Sequence, residues 1–194
     1  MQSFNLLVEG AIPTTEMPCY LRGFDDDVFN NETLTFTAEP GNMAGEGDFK
    51  INDNKYSMPR EESTIIQVDL NSQGEWILNN CPIMVGNKKK AVTHPFHIHV
   101  NPFQVVKRGD VEVPVSDRIW QDTVAVDPGI PLKILHRFED YNGTFVLHCH
   151  ILIHEDQGMM FDVKVKDPNN LGHKPGEEVT LDVCPYSPSS QCTT

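Results

Sequence analysis

The sequence predicts an all-β fold, a Greek-key β-sandwich, and three observations carry that reading. Short segments alternate apolar and polar residues along most of the chain. Turn-forming residues interrupt them every ~8–12 positions, the spacing of strands in a sandwich. Only one stretch, ILIHEDQ at residues 151–157, has a helical pattern, and it extends for no more than a turn or two. Alternation of this kind turns one face of each strand into a core, and two such sheets cover each other's apolar faces.

Residues 1–32 read as an N-terminal arm or linker remnant, with strand character in FNLLVEG and an acidic, turn-rich loop at Asp25-Asp26-Asp27. The sandwich is expected over residues 33–166, and 167–194 form a Pro- and Ser-rich tail that its cysteines could close. TLTFTAEP, at 33–40, alternates as a strand, and GNMAGEGD is the loop after it. FKINDNKYS reads as strand–turn–strand with Asp53-Asn54 at the tip. STIIQVDLNSQGEWILNN gives two strands around Ser72-Gln73-Gly74, and Lys88-Lys89-Lys90 falls in a predicted loop. FQVVKRGDVEVPV and IWQDTVAVDPG continue the sheets, and LKILHRFEDYNGTFVLHCH supplies two more strands with Asn142-Gly143 as a turn signal. His136 and His173, isolated from other histidines, read as ordinary surface or strand residues.

At 194 residues the chain suits one well-buried domain rather than two. Hydrophobic content of 39% and a mean hydropathy of −0.36 fit a globular protein, and no apolar run approaches the ~18 residues of a membrane span. The N-terminal residues show no basic region followed by a long apolar core, so no signal peptide is visible. A formal net charge of −13 and a pI near 4.9 argue against nucleic acid and anionic membranes as partners, and favour attraction of cations. Of five cysteines, setting Cys149 aside leaves Cys19, Cys81, Cys184 and Cys192, for which Cys19–Cys81 and Cys184–Cys192 are the expected pairs. Disulfides imply an oxidising compartment, secreted or periplasmic.

Six of the eight histidines fall in two short stretches, THPFHIHVNPFQVV and VLHCHILIHEDQGMM. In the second, a strand running into a short loop turns Cys149 to one face and both His148 and His150 to the other. One segment can therefore address two metal sites, joined through the Cys149 backbone. In the first, His97 and His99 share a face, while His94, three before His97, can turn elsewhere. That leaves His94, Cys149, His154 and Met159 as one four-ligand set, and His97, His99, His148 and His150 as an imidazole cluster. A thiolate with two imidazoles and a weak thioether is the ligand set of a blue copper electron-transfer site. Zinc also accepts imidazole and thiolate, but the thioether and a stiff sandwich favour copper.

HPFHIH followed by HCHILIHEDQGMM resembles the two C-terminal copper signatures of the multicopper oxidases, the family of laccases, bilirubin oxidases and cuprous oxidases, and matches at every ligand position. The resemblance spans roughly residues 60–166 and implies a cupredoxin (plastocyanin-like) domain. It further implies that His94, Cys149, His154 and axial Met159 bind type 1 copper, that His97 is a type 2 ligand, and that His99, His148 and His150 are type 3 ligands. Glu155 resembles the acidic residue that serves proton delivery in some bacterial members. Trp120 and Asp122, from a W-x-D-T-V segment, are expected to support packing and hydrogen bonding rather than catalysis. The implied activity passes single electrons from a phenolic, amine or metal-ion donor through type 1 copper to a trinuclear cluster that reduces dioxygen to water. In the family, half of that cluster's imidazoles come from two H-x-H motifs in an N-terminal domain, and no histidine precedes His94 here. Another copy of the chain, making a homo-oligomer, or a separate N-terminal cupredoxin domain would have to complete it. A single type 1 copper carrier without oxidase activity is the alternative. A copper nitrite reductase needs only one histidine beside the cysteine, whereas both flanks are histidine here.

Overall fold

The computed structural model describes residues 24, 29–40, 47–85, 88–90, 92–139 and 141–167. In chain order the strands are β1 (Phe29–Pro40), β2 (Gly47–Ile51), β3 (Ile65–Asp69), β4 (Ser72–Asn80), β5 (Ile83–Val85), β6 (Lys88–Lys90) and β7 (His94–Ile98). They continue as β8 (Phe103–Arg108), β9 (Val111–Glu112), β10 (Trp120–Gln121), β11 (Thr123–Val126), β12 (Leu132–Phe138), β13 (Gly143–Cys149) and β14 (Met160–Lys166), with one short helix, α1 (Leu152–Asp156). One sheet runs β10-β8-β12-β4-β1-β2, with β9 beside β8, and the other runs β11-β7-β13-β14-β3. Pairing is antiparallel except for β1 with β4 and β14 with β3. No helix among the described residues is long and apolar enough to cross a membrane.

The period of two seen in the sequence becomes the core. β4 turns Trp76, Leu78 and Asn80 inward, and its partner β12 turns in Leu132, Ile134, His136 and Phe138. The second sheet answers with Phe96, Ile98, Leu147, Phe161, Val163 and Val165. Phe36 of β1 meets Phe96 of β7 edge-on at 6.2 Å, so aromatic rings from both sheets interlock. Each such side chain removed from water contributes about 1.5–3 kcal/mol.

Several turns depart from the sequence reading. Ser72-Gln73-Gly74 lies inside β4, because Asn71, at φ 62°, makes the turn one residue earlier. Lys88–Lys90 is a strand, β6, paired with β5, and not a loop. After β2, Asn52 and Asp53 both adopt positive φ and close a tight turn, but beyond it Asn54 makes a single bridge to Ile51 and no second strand forms. Asn142-Gly143 joins β12 to β13, which lie in different sheets, so this turn signal marks a crossover and not a hairpin. β1 begins at Phe29, four residues before the expected start at 33. Cys81 is an exposed free thiol, so the Cys19–Cys81 pair is absent, while Cys19, Cys184, Cys192 and His173 lie outside the described residues. Most of the expected arm and tail lie outside them too.

Candidate metal centre

Register decides which side chain faces where. β13 lies against β7 with His148 opposite His97 and Cys149 opposite Phe96, and β11 places Thr123 opposite His97 and Val126 opposite His94. Directly opposed residues share a face. Cys149, Phe96, His94 and Val126 therefore point into the core, and His148, His97 and Thr123 point out of it. The chain carries both sets on the same three strands.

On the core face, Cys149 Sγ lies 3.5 Å from His94 Nδ1 and 3.6 Å from His154 Nδ1, and the two nitrogens are 3.2 Å apart. The point equidistant from the three atoms is about 2.0 Å from each, the length of a metal–imidazole bond and slightly under a metal–thiolate bond. Cys149 and Met159 are fully buried, and His94 is 1% exposed. Burial first, then the charge of His154, holds His94 down at about 4, and burial also lowers His154. Burial pushes the Cys149 thiol up to about 11, against the pull of the Ile151 backbone N–H. The nest thus keeps its imidazoles neutral, in the form that binds a metal, and keeps its thiol protonated until a metal displaces the proton.

Met159 is tied to this nest by its main chain. Its N–H donates to the His154 carbonyl at 2.9 Å, and its carbonyl accepts from the Cys149 N–H at 3.1 Å. The tight return after α1 needs Gly158, whose φ of +105° a side chain would strain.

On the outer face, His97, His99 and His148 each bring a ring nitrogen within 4.8 Å of the others. His99 Nε2 is 3.3 Å from His148 Nε2. The His150 ring stands alongside, 5.3 Å from His97 and 5.6 Å from His148 by centroid. Burial, followed by the charges of His97 and His148, lowers His99. The rings are held from behind. His97 Nδ1 donates to the Asp122 carbonyl at 3.0 Å and lies 2.9 Å from Thr123 Oγ1. His148 Nδ1 lies 3.1 Å from the Cys149 carbonyl and 3.2 Å from Glu155 Oε2. A hydrogen bond at Nδ1 leaves Nε2 as the free donor atom and fixes the plane of the ring. The expected site residues therefore assemble as two groups, with Glu155 reaching the second from the helix that carries His154 of the first. Asp122 supports His97 through its backbone carbonyl, and Thr123, from the same W-x-D-T-V segment, also braces that ring, a role that the motif alone does not assign to it. His136, read as ordinary, is fully buried in the core. A cavity of about 380 Å³ opens beside His97, His99 and Asp122, lined also by Pro102.

A β-sandwich bearing a thiol–imidazole nest on one face and an imidazole cluster on the other has the donor sets of a metal-binding protein. Residues 27–169 match the family described as multicopper oxidase. The chain is 37% identical over 115 residues to the multicopper oxidase mco of Staphylococcus haemolyticus, covering 59% of this chain and 24% of that protein. It is 44% identical over 78 residues to the laccase of Haloferax volcanii, covering 39% of this chain and 14% of that one. The crystal structure of a multi-copper oxidase from Pediococcus acidilactici superposes with a TM-score of 0.62 at 27% identity, over 87% of this chain and 32% of that one. The chain belongs to the multicopper oxidase family, whose metal is copper. It spans about a quarter of the length of the Staphylococcus relative.

Proposed function

We propose that this chain is the type 1 copper domain of a laccase-like multicopper oxidase, corresponding to the family's C-terminal cupredoxin domain. The observation that carries the reading is the nest itself: three soft-to-intermediate donors set around one point about 2.0 Å from each. His94, Cys149 and His154 would hold the metal, with Met159 as the weak axial donor. His97, His99, His148 and His150 would supply half of a trinuclear cluster. Copper held at these positions would supply one-electron redox chemistry on the core side and, at a completed cluster, dioxygen reduction.

The residues divide the work. His154, partly buried on α1, would be the ligand nearest solvent through which a phenolic, amine or metal-ion donor passes its electron. Cys149 is bonded through its own main chain to His148 and His150, the shortest covalent route from one face to the other. Glu155, whose Oε2 lies 3.2 Å from His148 Nδ1, would hold or pass a proton beside the cluster. The cluster's missing imidazoles come from another copy of the chain or from a preceding domain. The runner-up is a single-copper electron carrier, favoured by the His94, Cys149 and His154 group, which the described residues bring together without a second copy or domain.

Copper per chain in loaded protein, measured with its solution mass, separates the two. About one copper in a monomer gives the carrier, and about 2.5 per chain in a dimer gives two type 1 sites sharing one cluster across a twofold axis. Cys149→Ser removes the visible thiolate-to-copper band. His150→Ala abolishes dioxygen consumption with a phenolic donor and keeps the band, and retained turnover in that variant would overturn the trinuclear reading.

A further inference from the structure

Two imidazoles of the outer cluster owe their orientation to hydrogen bonds at Nδ1. His154 cannot use that device, because its Nδ1 is the atom turned towards Cys149 and His94. The helix that carries it is short: α1 has five residues, and Ile151 at its start provides no side-chain cap. What lies against the His154 ring is Phe49, from the edge strand of the opposite sheet. The two rings are stacked, with centroids 4.0 Å apart and planes at 18°. Phe49 is itself 9% exposed.

The approach is built into the strand. A Cβ at Gly47 would come within 2.7 Å of Phe49 Cε2 and Cζ, so the ring lies back over its own strand only because residue 47 is glycine. The Gly47 N–H donates to Gln157 Oε1 at 3.2 Å, and the Tyr56 N–H donates to the Gly158 carbonyl at 2.9 Å. These contacts clip the β2 region on both sides of Phe49 to the loop between His154 and Met159. We infer that Phe49 is a positioning residue for His154: stacking from across the sandwich fixes the imidazole plane and covers one of its faces, in place of the hydrogen bond used at His97 and His148. The inference rests on reading the Cys149 nest as the type 1 copper site. Groups that orient a metal-bound histidine change metal affinity about 10–100-fold when removed. An imidazole free to swing would also alter overlap at the thiolate bond.

The test compares copper-loaded wild type with Phe49→Leu, which keeps an apolar side chain but removes the ring, and Phe49→Tyr, which restores it. Thermal unfolding of the metal-free proteins confirms that each folds. Phe49→Leu is expected to shift the thiolate-to-copper absorption and the copper EPR hyperfine splitting, and to release copper to a chelator about tenfold faster. Phe49→Tyr is expected to restore all three. Should the leucine variant not fold, Gly47→Ala, which drives a methyl group against the ring without removing it, is expected to give the same shifts. A wild-type protein that never develops the thiolate band overturns the copper reading and this inference together. A band and release rate indifferent to residue 49 overturn this inference alone, as does a tyrosine variant that behaves like leucine.

Discussion

Acid should weaken this fold through a residue that takes no part in either metal group. His136 on β12 is fully buried. Its ring meets Trp76 edge-on at 4.2 Å and Phe138 at 4.7 Å, and faces Gly74, where a Cβ would lie only 2.4 Å from Nε2. Neither ring nitrogen has a hydrogen-bond partner. Burial lowers its pKa from 6.5 to about 3. Above pH ~6.5 the imidazole is neutral whether the chain is folded or not, and it contributes no pH dependence. Below that, the unfolded chain takes up a proton that the folded core refuses, and stability falls by about 1.4 kcal/mol per pH unit until the folded pKa is reached. The loss amounts to about 2 kcal/mol at pH 5. His136→Leu, close in volume and apolar, removes this contribution. Urea unfolding of metal-free wild type and variant at pH 7.5, 6 and 5 should show the variant gaining on wild type by about 2 kcal/mol between the extremes. Other buried imidazoles such as His94 titrate in both proteins and cancel in the difference. Parallel stability curves would refute the reasoning.

Two further outcomes follow from the site. Val100, just after His99, sits at φ 65° in a γ-turn closed by Asn101 N–H donating to the His99 carbonyl at 2.7 Å. A β-branched residue there is strained, so Val100→Gly should raise stability by about 1 kcal/mol in urea unfolding, and a decrease would disprove the strain. Metal uptake by the Cys149 nest at pH 7 should release about one proton, from a thiol held up at about 11, and none from His94, held down at about 4. Calorimetry of cobalt(II) binding in two buffers of different ionisation enthalpy measures that number, and a value near zero or two would contradict the protonation states.

The sandwich and the metal groups were legible because both rest on a period of two. Alternation in EWILNN and LKILHRF puts Trp76, Leu78, Leu132 and Ile134 inward, and the same parity sends Cys149 one way and His148 the other. Parity does not say which strand lies next to which. Asn142-Gly143 looks like a hairpin tip, yet the chain changes sheets there, because β12 is claimed by β4 and β8 while β13 is claimed by β7 and β14. The turn before β4 shifted to Asn71, since a single residue able to adopt positive φ suffices and Gly74 is needed where His136 packs. His136 follows the inward parity of its strand, and its polar type concealed it. Phe49 lies 105 residues from His154, in a strand no different from its neighbours, so only the folded chain shows the pair.

The register of β13 against β7 has a wider consequence. Leu147 faces Ile98, His148 faces His97 and Cys149 faces Phe96, and the Cys149 and His150 N–H groups are committed to the Met159 and Pro95 carbonyls. A slip of one residue would not merely loosen the arrangement. It would turn two imidazoles into the hydrocarbon interior and put the thiol outside with the remaining histidines. Both metal groups are thus governed by a single structural variable, and assembly is all or none: no state of the sheet has one face correct and the other wrong. A mutation that disturbs either group by moving the strand must disturb both, whereas one that changes a side chain in place can silence one and spare the other.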